Sequence, residues 1–349
     1  MENVFCVILA GGVGNRLWPV SNTKCPKQFM DLLHTGKTLI RQTFERINLL
    51  IPKERIYVVT GKRYIEITQK ELPEIPQENI LAEPFRKNTA VSIMYAAVKV
   101  RKKSENSTMI VVASDHVITN EVAYLRNLKE GVEFVKNQGG LLTFGIKPKR
   151  QETQYGYIQE KKPEIVDKIS EVKTFTEKPD KELAKAFFES GDFLWNVGIF
   201  VWKTNDIISE IKKYTYDVYS FFEDDKFLDT EYENEAIVGI YSEVPNVSID
   251  FGVLEKSASV YVLKGDFGWS NTSTWLSLNS LGTTDDDNNT LVSGNVVFDE
   301  SKNCLVYVNP DKKVIVSGVD NIIIAEQHDY LMICNKDNEE RIKLFEKNF

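Results

Sequence analysis

Cysteine and histidine are scarce in this sequence, which has four cysteines and three histidines among 349 residues. No two cysteines form a Cys-x-x-Cys pair, and with only three histidines a zinc cluster is not expected. We therefore expect reduced thiols rather than disulfides or metal ligands. The residues concerned are Cys6, Cys25, Cys304, Cys334, His34, His116 and His328.

Long apolar runs and an excess of positive charge are also missing. No stretch is long enough to span a membrane, and the N-terminus lacks the parts of a secretion signal, so we expect a cytoplasmic protein without a membrane partner. The 43 Lys and Arg residues against 51 Asp and Glu residues give a formal net charge of −8. This balance argues against nucleic acid as a partner, although a few cations in a cleft can still bind a small anion.

Strand-like and helical segments alternate through the first half of the sequence. Four continuous apolar runs have the length of parallel strands covered on both faces, and they occupy 4–10, 55–61, 109–114 and 140–146. Amphipathic helices are predicted after Thr38 and after Asn88, where Asn88 or Thr89 can act as the N-cap. The pattern predicts an α/β protein with a doubly wound, Rossmann-like mixed sheet, whose ligands bind beyond the carboxyl ends of the strands.

A polar stretch at 282–290 precedes a series of short apolar segments near the end of the sequence. These segments recur at nearly regular spacing with turn residues between them, which predicts a small all-β domain, either a β-helix or a compact sheet. We therefore expect a larger domain over 1–282 and a small C-terminal β domain over 290–349 that ends in a short helix.

A glycine-rich loop follows the first apolar run, and two common phosphate-loop patterns do not describe it. The pattern Gly-x-Gly-x-x-Gly, started at Gly12, has Leu17 at its third glycine position. The Walker pattern that would end at 36–38 has Asp31 where its first glycine belongs. A third kind of phosphate loop and a simple tight turn are the remaining readings.

The residues of this loop suit phosphate binding. Glycines from Gly11 to Gly14 let backbone N–H groups approach a ligand without interference from a Cβ atom. Arg16 adds a fork of donors, and Lys27 adds a compact positive charge. A turn with solvated cations is the alternative. The preceding strand and the spacing of Arg16 and Lys27 favour the phosphate loop.

Several segments then resemble one known family. LAGGVGNRLWP (9–19) followed by PKQF (26–29) resembles the signature of the nucleotidyltransferases that make nucleotide sugars, and it is most similar to the mannose-1-phosphate guanylyltransferase branch, also called GDP-mannose pyrophosphorylases. Other segments agree in order along nearly the whole chain, and they lie at 82–90, 113–116, 152–158, 175–179, 195–200, 248–256, 267–275 and 294–299.

The resemblance implies a reaction and a fold. It implies that residues 1–282 form a catalytic domain of the nucleotide-diphospho-sugar transferase type. The sugar phosphate oxygen would attack the α-phosphate of the nucleotide in line, so that GTP and mannose 1-phosphate yield GDP-mannose and pyrophosphate with the help of Mg²⁺. A homodimer is also implied. The sequence is too short for the isomerase domain that longer members append, so we expect no isomerase activity.

The resemblance also assigns roles to residues of this sequence. The catalytic set would be Arg16, Lys27 and Asp115. The nucleotide would contact Leu9, Gly11, Gly12, Gly14, Asn15, Arg16, Glu83, Pro84 and Asn88. The sugar phosphate would contact Gly156, Glu177, Lys178 and Asn196. The metal ion would be held by Asp115 and Asn271.

Three departures from the family pattern leave alternatives open. Asn271 stands where an aspartate is normal, so one full negative charge is lost from the metal site and we expect weaker Mg²⁺ binding. Lys87 replaces the usual arginine before Asn88, and Val197 replaces a small residue after Asn196. The alternatives are the same chemistry on another sugar 1-phosphate or nucleotide, and a catalytically weak nucleotide-sugar-binding regulatory homologue.

Overall fold

The structure, a computed structural model, describes residues 1–348, which fall into two compact units. The central-sheet unit comprises Met1–Gly11, Phe44–Ser114 and Ile118–Trp269. The loop unit comprises Gly12–Thr43, Asp115–Val117 and the chain from Ser270 onwards. Each unit therefore combines segments that are distant in sequence.

Strands and helices largely alternate through the first half of the chain, as the sequence predicts, and runs of consecutive strands and of consecutive helices follow. The strands are β1 (Val4–Leu9), β2 (Ile56–Gly61), β3 (Ile80–Glu83), β4 (Thr108–Ala113), β5 (His116–Ile118), β6 (Leu141–Ile146), β7 (Gly156–Glu160), β8 (Ile169–Thr176), β9 (Phe193–Lys203), β10 (Val260–Lys264) and β11 (Trp269–Asn271). The α-helices are α1 (Leu39–Asn48), α2 (Ile65–Glu71), α3 (Thr89–Lys103), α4 (Glu121–Gln138), α5 (Lys181–Ser190), α6 (Thr204–Tyr214), α7 (Tyr216–Tyr219) and α8 (Glu233–Glu243). A π-helical turn occupies Asp250–Leu254.

A mixed sheet of nine strands forms the centre of the central-sheet unit. Its order is β3-β2-β1-β4-β9-β6-β10-β8-β7. β1 runs parallel to β2 and β4, and β2 runs parallel to β3, whereas β9 runs antiparallel to β4, β6 and β7. This arrangement confirms the predicted α/β class with a mixed sheet. A separate ribbon pairs β5 with β11.

Burial explains why the apolar runs form strands and why α3 lies in the core of the central-sheet unit. The first five residues of β1 are buried, because both faces of a parallel strand are covered. In α3 every residue from Ala90 to Val100 is buried, so this helix lies inside the core of its unit rather than on its surface. Asn88 is the N-cap of α3, as predicted, and its side chain accepts a hydrogen bond from the amide of Thr89.

The loop unit is built from short strands. They are β12 (Thr283–Thr284), β13 (Thr290–Ser293), β14 (Asn295–Asp299), β15 (Leu305–Tyr307), β16 (Lys313–Ser317), β17 (Ile322–Gln327) and β18 (Tyr330–Asn335). One sheet has the order β12-β13-β15-β17-β18, with β13, β15 and β17 parallel, and a second sheet pairs β14 with β16 in parallel. A 3₁₀-helix, Lys336–Asn348, follows where a short terminal helix is predicted.

The core of the loop unit joins its first and last segments. Leu17 and Trp18 are buried in one cluster with Trp275 and Ile323. The indole N–H of Trp275 donates a hydrogen bond to the carbonyl oxygen of Trp18, at 3.2 Å. The polar stretch 282–290 lies within this unit, since β12 pairs with β13 across it. The division into domains at 1–282 and 290–349 stays a prediction.

The helices described within residues 1–348 do not meet the requirements of a membrane span. None of them combines the necessary length with the necessary apolar character.

Candidate functional site

The predicted phosphate loop depends on Gly14 for its shape. The φ angle of Gly14 is 69°, in the left-handed region. A Cβ atom at this position would lie 2.7 Å from Oγ of Ser21 and 2.9 Å from Cγ of Lys27. The Ser21 hydroxyl also donates a hydrogen bond to the carbonyl oxygen of Val13. Glycine is therefore required where the loop passes beside Lys27.

Lys27 is buried and held by two oxygens of its own unit. It begins the 3₁₀-helix Lys27–Phe29 directly after Pro26, and the whole residue is 4% exposed. Its Nζ atom lies 2.8 Å from Oδ2 of Asp115 and donates a hydrogen bond to the carbonyl oxygen of Thr272 at 3.0 Å. Thr272 in turn donates from Oγ1 to the carbonyl oxygen of Asp115. The structure thus brings together two of the three predicted catalytic residues.

The charge of Asp115 is stabilised by its neighbours. Burial alone would raise the pKa of this carboxyl, but Lys27 and His116 beside it outweigh burial, and the pKa lies below its ordinary value. Asp115 is therefore ionised at neutral pH. An ionised Asp115 carboxylate can bind a metal cation in addition to the ammonium group of Lys27.

Arg16 belongs to the same unit and has a different environment. It lies on the 3₁₀-helix Asn15–Leu17, and its side chain is partly exposed. Within residues 1–348 its guanidinium forms no ion pair and no hydrogen bond. Its five N–H donors are available to a ligand.

Two oxygen donors in the loop unit suit the implied metal ion. One is the Asp115 carboxylate, and the other is Oδ1 of Asn271, which is buried and accepts no hydrogen bond from the described residues. Within residues 1–348 no group of three or more His, Cys, Asp or Glu side chains could hold a metal ion. One carboxylate and one amide oxygen fit Mg²⁺, which usually keeps waters and takes further ligands from phosphate oxygens.

The predicted base-binding residues lie in the central-sheet unit. Glu83 ends β3 and is 7% exposed. Its Oε1 accepts hydrogen bonds from Oγ of Ser92 at 2.6 Å and from the hydroxyl of Tyr241 at 3.0 Å. Leu9 ends β1, and a Cβ atom at Gly11 would lie 3.0 Å from Oε2 of Glu83. The predicted residues Gly11 and Glu83 are therefore neighbours.

The segment after Glu83 leads into α3. Pro84 follows β3 directly, and Asn88 has a φ angle of 69° at the start of the helix. Lys87, which replaces the arginine of the family pattern, donates a hydrogen bond from Nζ to the carbonyl oxygen of Val244 at 2.8 Å. This lysine is therefore bound to its own unit.

The four predicted sugar-phosphate residues converge within the central-sheet unit. Gly156 on β7 pairs directly with Asn196 on β9. A Cβ atom at Gly156 would lie 2.7 Å from Oε2 of Glu177 and 3.3 Å from Cβ of Asn196. Lys178 forms an ion pair with the Glu177 carboxylate. The Glu177 carboxylate thus occupies the space beside Gly156. The oxygen and the nitrogen of the Asn196 amide both form hydrogen bonds as well.

Asn196 connects this site to a residue that the sequence analysis missed. Its Oδ1 accepts from the hydroxyl of Thr143 at 2.8 Å, and its Nδ2 donates to Oδ1 of Asp250 at 2.8 Å. Burial, together with the nearby Glu177 carboxylate, raises the pKa of Asp250 to about 7. Asp250 lies in the segment 248–256, which resembles the family. The sequence therefore pointed to this segment but assigned no role to Asp250.

Glu255 and Thr272 were also missed. The Glu255 carboxylate accepts a hydrogen bond from the backbone amide of Glu177 at 2.7 Å, and Thr272 joins Lys27 to Asp115. Glu255 and Thr272 likewise lie inside segments that resemble the family. Their partners are distant in sequence, so spacing alone could not identify what they contact.

The predicted site residues thus form two groups, each described within its own unit. The loop unit holds Gly12, Gly14, Asn15, Arg16, Lys27, Asp115 and Asn271. The central-sheet unit holds Leu9, Gly11, Glu83, Pro84, Asn88, Gly156, Glu177, Lys178 and Asn196.

Known proteins resemble this chain over most of its length. The family described as nucleotidyl transferase matches residues 5–286. The alginate biosynthesis protein AlgA of Pseudomonas syringae pv. tomato is 35% identical over 347 residues, which cover 97% of this chain and 70% of that protein. A mannose-1-phosphate guanylyltransferase of Klebsiella pneumoniae is 31% identical over 351 residues, with 97% of this chain and 72% of that protein covered.

A solved structure extends the similarity to the fold. A Thermus thermophilus protein, described as a mannose-1-phosphate geranyltransferase, superposes with a TM-score of 0.87 at 26% identity. The similarity covers 99% of both chains. It therefore includes the C-terminal strands as well as the nine-stranded sheet.

Proposed function

The chain belongs to the nucleotidyl transferase family, and we propose that it joins GTP to mannose 1-phosphate, forming GDP-mannose and releasing pyrophosphate. The protein is a nucleotidyltransferase enzyme, and relatives at 31% identity act, by name, as mannose-1-phosphate guanylyltransferases. The choice of GTP and of mannose 1-phosphate for this chain is the proposal.

The observation that carries the proposal is the buried pair of Lys27 and Asp115 beside the glycine-rich loop. In this reaction the oxygen of the sugar phosphate forms a bond to the α-phosphorus of GTP, and the bond from that phosphorus to the pyrophosphate oxygen breaks. The enzyme must align two anions and neutralise the charge that develops on the leaving group. Lys27 is fixed before substrate arrives, and the guanidinium of Arg16 is available for the phosphate oxygens.

Mg²⁺ would be held by Asp115 and Asn271 and would supply a Lewis acid for the phosphate oxygens. The orphaned Oδ1 of Asn271 supports this assignment. Lys27 contributes a second positive charge at the same carboxylate. The hydrogen bond from Lys27 to the carbonyl oxygen of Thr272 fixes the orientation of the ammonium group.

The residues of the central-sheet unit would bind the two organic parts of the substrates. Glu83 and Pro84 would contact the guanine, and Glu177 would accept hydrogen bonds from sugar hydroxyls. Lys178 would bind the sugar phosphate, for which it must exchange its ion pair with Glu177. Asn196 already uses both faces of its amide, so its contribution would include orienting Asp250.

The decisive experiment measures pyrophosphate release over a matrix of nucleotides and sugar 1-phosphates in the presence of Mg²⁺. The nucleotides are GTP, ATP, UTP and CTP, and the sugars are the 1-phosphates of mannose, glucose and fucose. We expect the fastest turnover with GTP and mannose 1-phosphate. Faster turnover with UTP or ATP contradicts the guanylyl assignment, and no turnover with any pair contradicts the enzyme.

Two other candidates are tested by the same matrix. Val197 after Asn196 and Lys87 before Asn88 leave open the same chemistry on another sugar 1-phosphate or nucleotide, which would appear as a preference for a different pair in the matrix. Asn271 in place of aspartate favours a regulatory homologue that binds nucleotide sugars with little catalysis. The retained set of Arg16, Lys27 and Asp115 supports an active enzyme instead.

We also propose that residues 290–349 form a small β-helix-like domain and that the protein acts as a cytoplasmic homodimer. The parallel pairing of β13, β15 and β17, with β14 parallel to β16, supports the β-helix-like description. Light scattering of the purified protein at several concentrations tests the dimer. A mass of one chain, 40.0 kDa, at every concentration contradicts it.

A further inference from the structure

Glu83 is held by two hydroxyl donors that both bind the same carboxylate oxygen. Ser92 on α3 and Tyr241 on α8 donate to Oε1 at 2.6 Å and 3.0 Å. Ser92 is 8% exposed and Tyr241 is completely buried, so water does not compete for this oxygen. A carboxylate oxygen has two lone pairs, and two donors occupy them both.

The second oxygen of Glu83 has a different environment. Oε2 lies 3.0 Å from the place where a Cβ atom of Gly11 would stand, and it accepts no hydrogen bond from the described residues. The absence of a side chain at Gly11 leaves room for a planar group to reach Oε2. Oε1 of Glu83 is therefore already hydrogen-bonded, whereas Oε2 is available to accept a hydrogen bond from a ligand.

The two hydroxyls also favour the ionised form of the carboxylate. Burial raises the pKa of Glu83 above its ordinary value, whereas Ser92, Tyr241 and the positive charge of Arg86 act to lower it. The charge of Glu83 in turn contributes to raising the pKa of Tyr95. The pKa of Tyr95 and that of Tyr241 are both raised by burial, so neither hydroxyl ionises near neutral pH.

We propose that Ser92 and Tyr241 are positioning residues that set nucleobase preference by saturating Oε1 of Glu83 and directing Oε2 at the base. In the carboxylate form Oε2 can only accept, so it favours a purine with N–H donors on its Watson–Crick edge, as in guanine. Adenine presents a ring nitrogen that is itself an acceptor at the corresponding position, and two acceptors repel. The inference rests on the proposed function, in which Glu83 contacts the guanine.

The experiment measures binding of GTP and ATP to the full chain by calorimetry, for the wild type, Tyr241→Phe and Ser92→Ala. Each substitution removes one donor, and Tyr241→Phe keeps the buried ring. We expect each to weaken GTP binding about tenfold, as for the loss of one hydrogen bond to a charged group. The preference for GTP over ATP falls by the same factor, and the KM for mannose 1-phosphate is unchanged.

Tyr95→Phe is the matched control. Tyr95 packs against the Tyr241 ring, with centroids 6.5 Å apart, but its hydroxyl donates to Glu233 rather than to Glu83. We expect it to leave the GTP-to-ATP preference at the wild-type value. A second readout is the pH at which GTP binding is lost on acidification, which moves upward in Tyr241→Phe and Ser92→Ala because the pKa of Glu83 rises.

The possible results separate the inference from the proposed function. Unchanged GTP affinity in both variants, or an equal loss in Tyr95→Phe, overturns the inference. Wild-type protein that binds GTP tightly but releases no pyrophosphate with mannose 1-phosphate contradicts the proposed function alone. Wild-type protein that prefers ATP overturns both.

Discussion

The ammonium group of Lys27 lies 2.8 Å from Oδ2 of Asp115, and the lysine side chain is only 5% exposed. A lysine on the surface would lose side-chain entropy when it bound a phosphate, whereas this one is already ordered. The pair also places a fixed positive charge at the carboxylate proposed to hold Mg²⁺. In the proposed reaction Lys27 would therefore be preorganised for the charge of the transition state.

Removal of the Lys27 ammonium group should slow the chemical step. For Lys27→Met, which keeps most of the side-chain volume, we expect kcat to fall on the order of 10²- to 10³-fold, with a smaller change in the KM for mannose 1-phosphate. Lys24→Ala, an exposed lysine of the same segment, should retain wild-type kcat. Circular dichroism checks that both variants fold. A near-normal kcat for Lys27→Met would remove Lys27 from the catalytic set.

Gly14→Ala should destabilise the loop, and Gly12→Ala should not. An alanine at position 14 would adopt a left-handed φ of 69° and place its Cβ atom against Ser21 and Lys27. We expect the free energy of unfolding to fall by at least about 1–2 kcal/mol, measured by urea denaturation. A Cβ atom at Gly12 would meet no atom within 4 Å. Equal losses in the two variants would contradict this account.

Gly156→Ala should weaken binding of the sugar phosphate. Its Cβ atom would stand 2.7 Å from Oε2 of Glu177, so the carboxylate must move away. We expect the KM for mannose 1-phosphate to rise about tenfold or more while the KM for GTP stays within about twofold. Gly239→Ala on α8 meets no atom within 4 Å and serves as the control. A rise in the KM for GTP alone would place Gly156 outside the sugar site.

Asn271→Asp should strengthen binding of Mg²⁺. The substitution restores a full negative charge beside Asp115, and hard cations depend on carboxylate charge for affinity. We expect activity to reach half of its maximum at a lower Mg²⁺ concentration than in the wild type. Asn137→Asp, an exposed asparagine on α4, controls for the change in net charge. If Asn271→Asp and the wild type saturate at the same concentration, the idea of a weakened metal site is wrong.

Asp250 should make stability depend on pH. Its pKa is about 7 in the folded protein against an ordinary 3.8, so the unfolded chain releases this proton first as pH rises. The stability that the protonated form contributes is complete below about pH 4 and is lost as pH rises through about 7.

Asp250→Asn removes this titration and keeps an oxygen that can accept from Asn196. Between about pH 5 and about pH 8 we expect the wild type to lose roughly 1–2 kcal/mol more stability than the variant, after allowance for solvent near this partly buried group. Urea denaturation at both pH values measures the difference. Asp192→Asn, an exposed aspartate, should follow the wild type. Identical pH profiles for Asp250→Asn and the wild type would contradict the shifted pKa.

Local patterns predicted the elements because local forces decide them. The apolar run 4–10 became β1, Val4–Leu9, since a strand covered on both faces has no polar side. Asn88 became the N-cap of α3 because its short side chain can bind a free amide of the first turn. The glycine-rich loop, with Arg16 and Lys27 after it, was recognisable from residue types and spacing.

The partners of the functional side chains depended on packing. The amino-acid sequence by itself determined the α/β class, the position of the glycine-rich loop and the family. Only the tertiary structure decided that Lys27 binds Asp115 and Thr272, and that Ser92 and Tyr241 share one oxygen of Glu83. Propensity and periodicity act over a few residues, whereas a hydrogen bond between distant segments exists only after the core has brought them together.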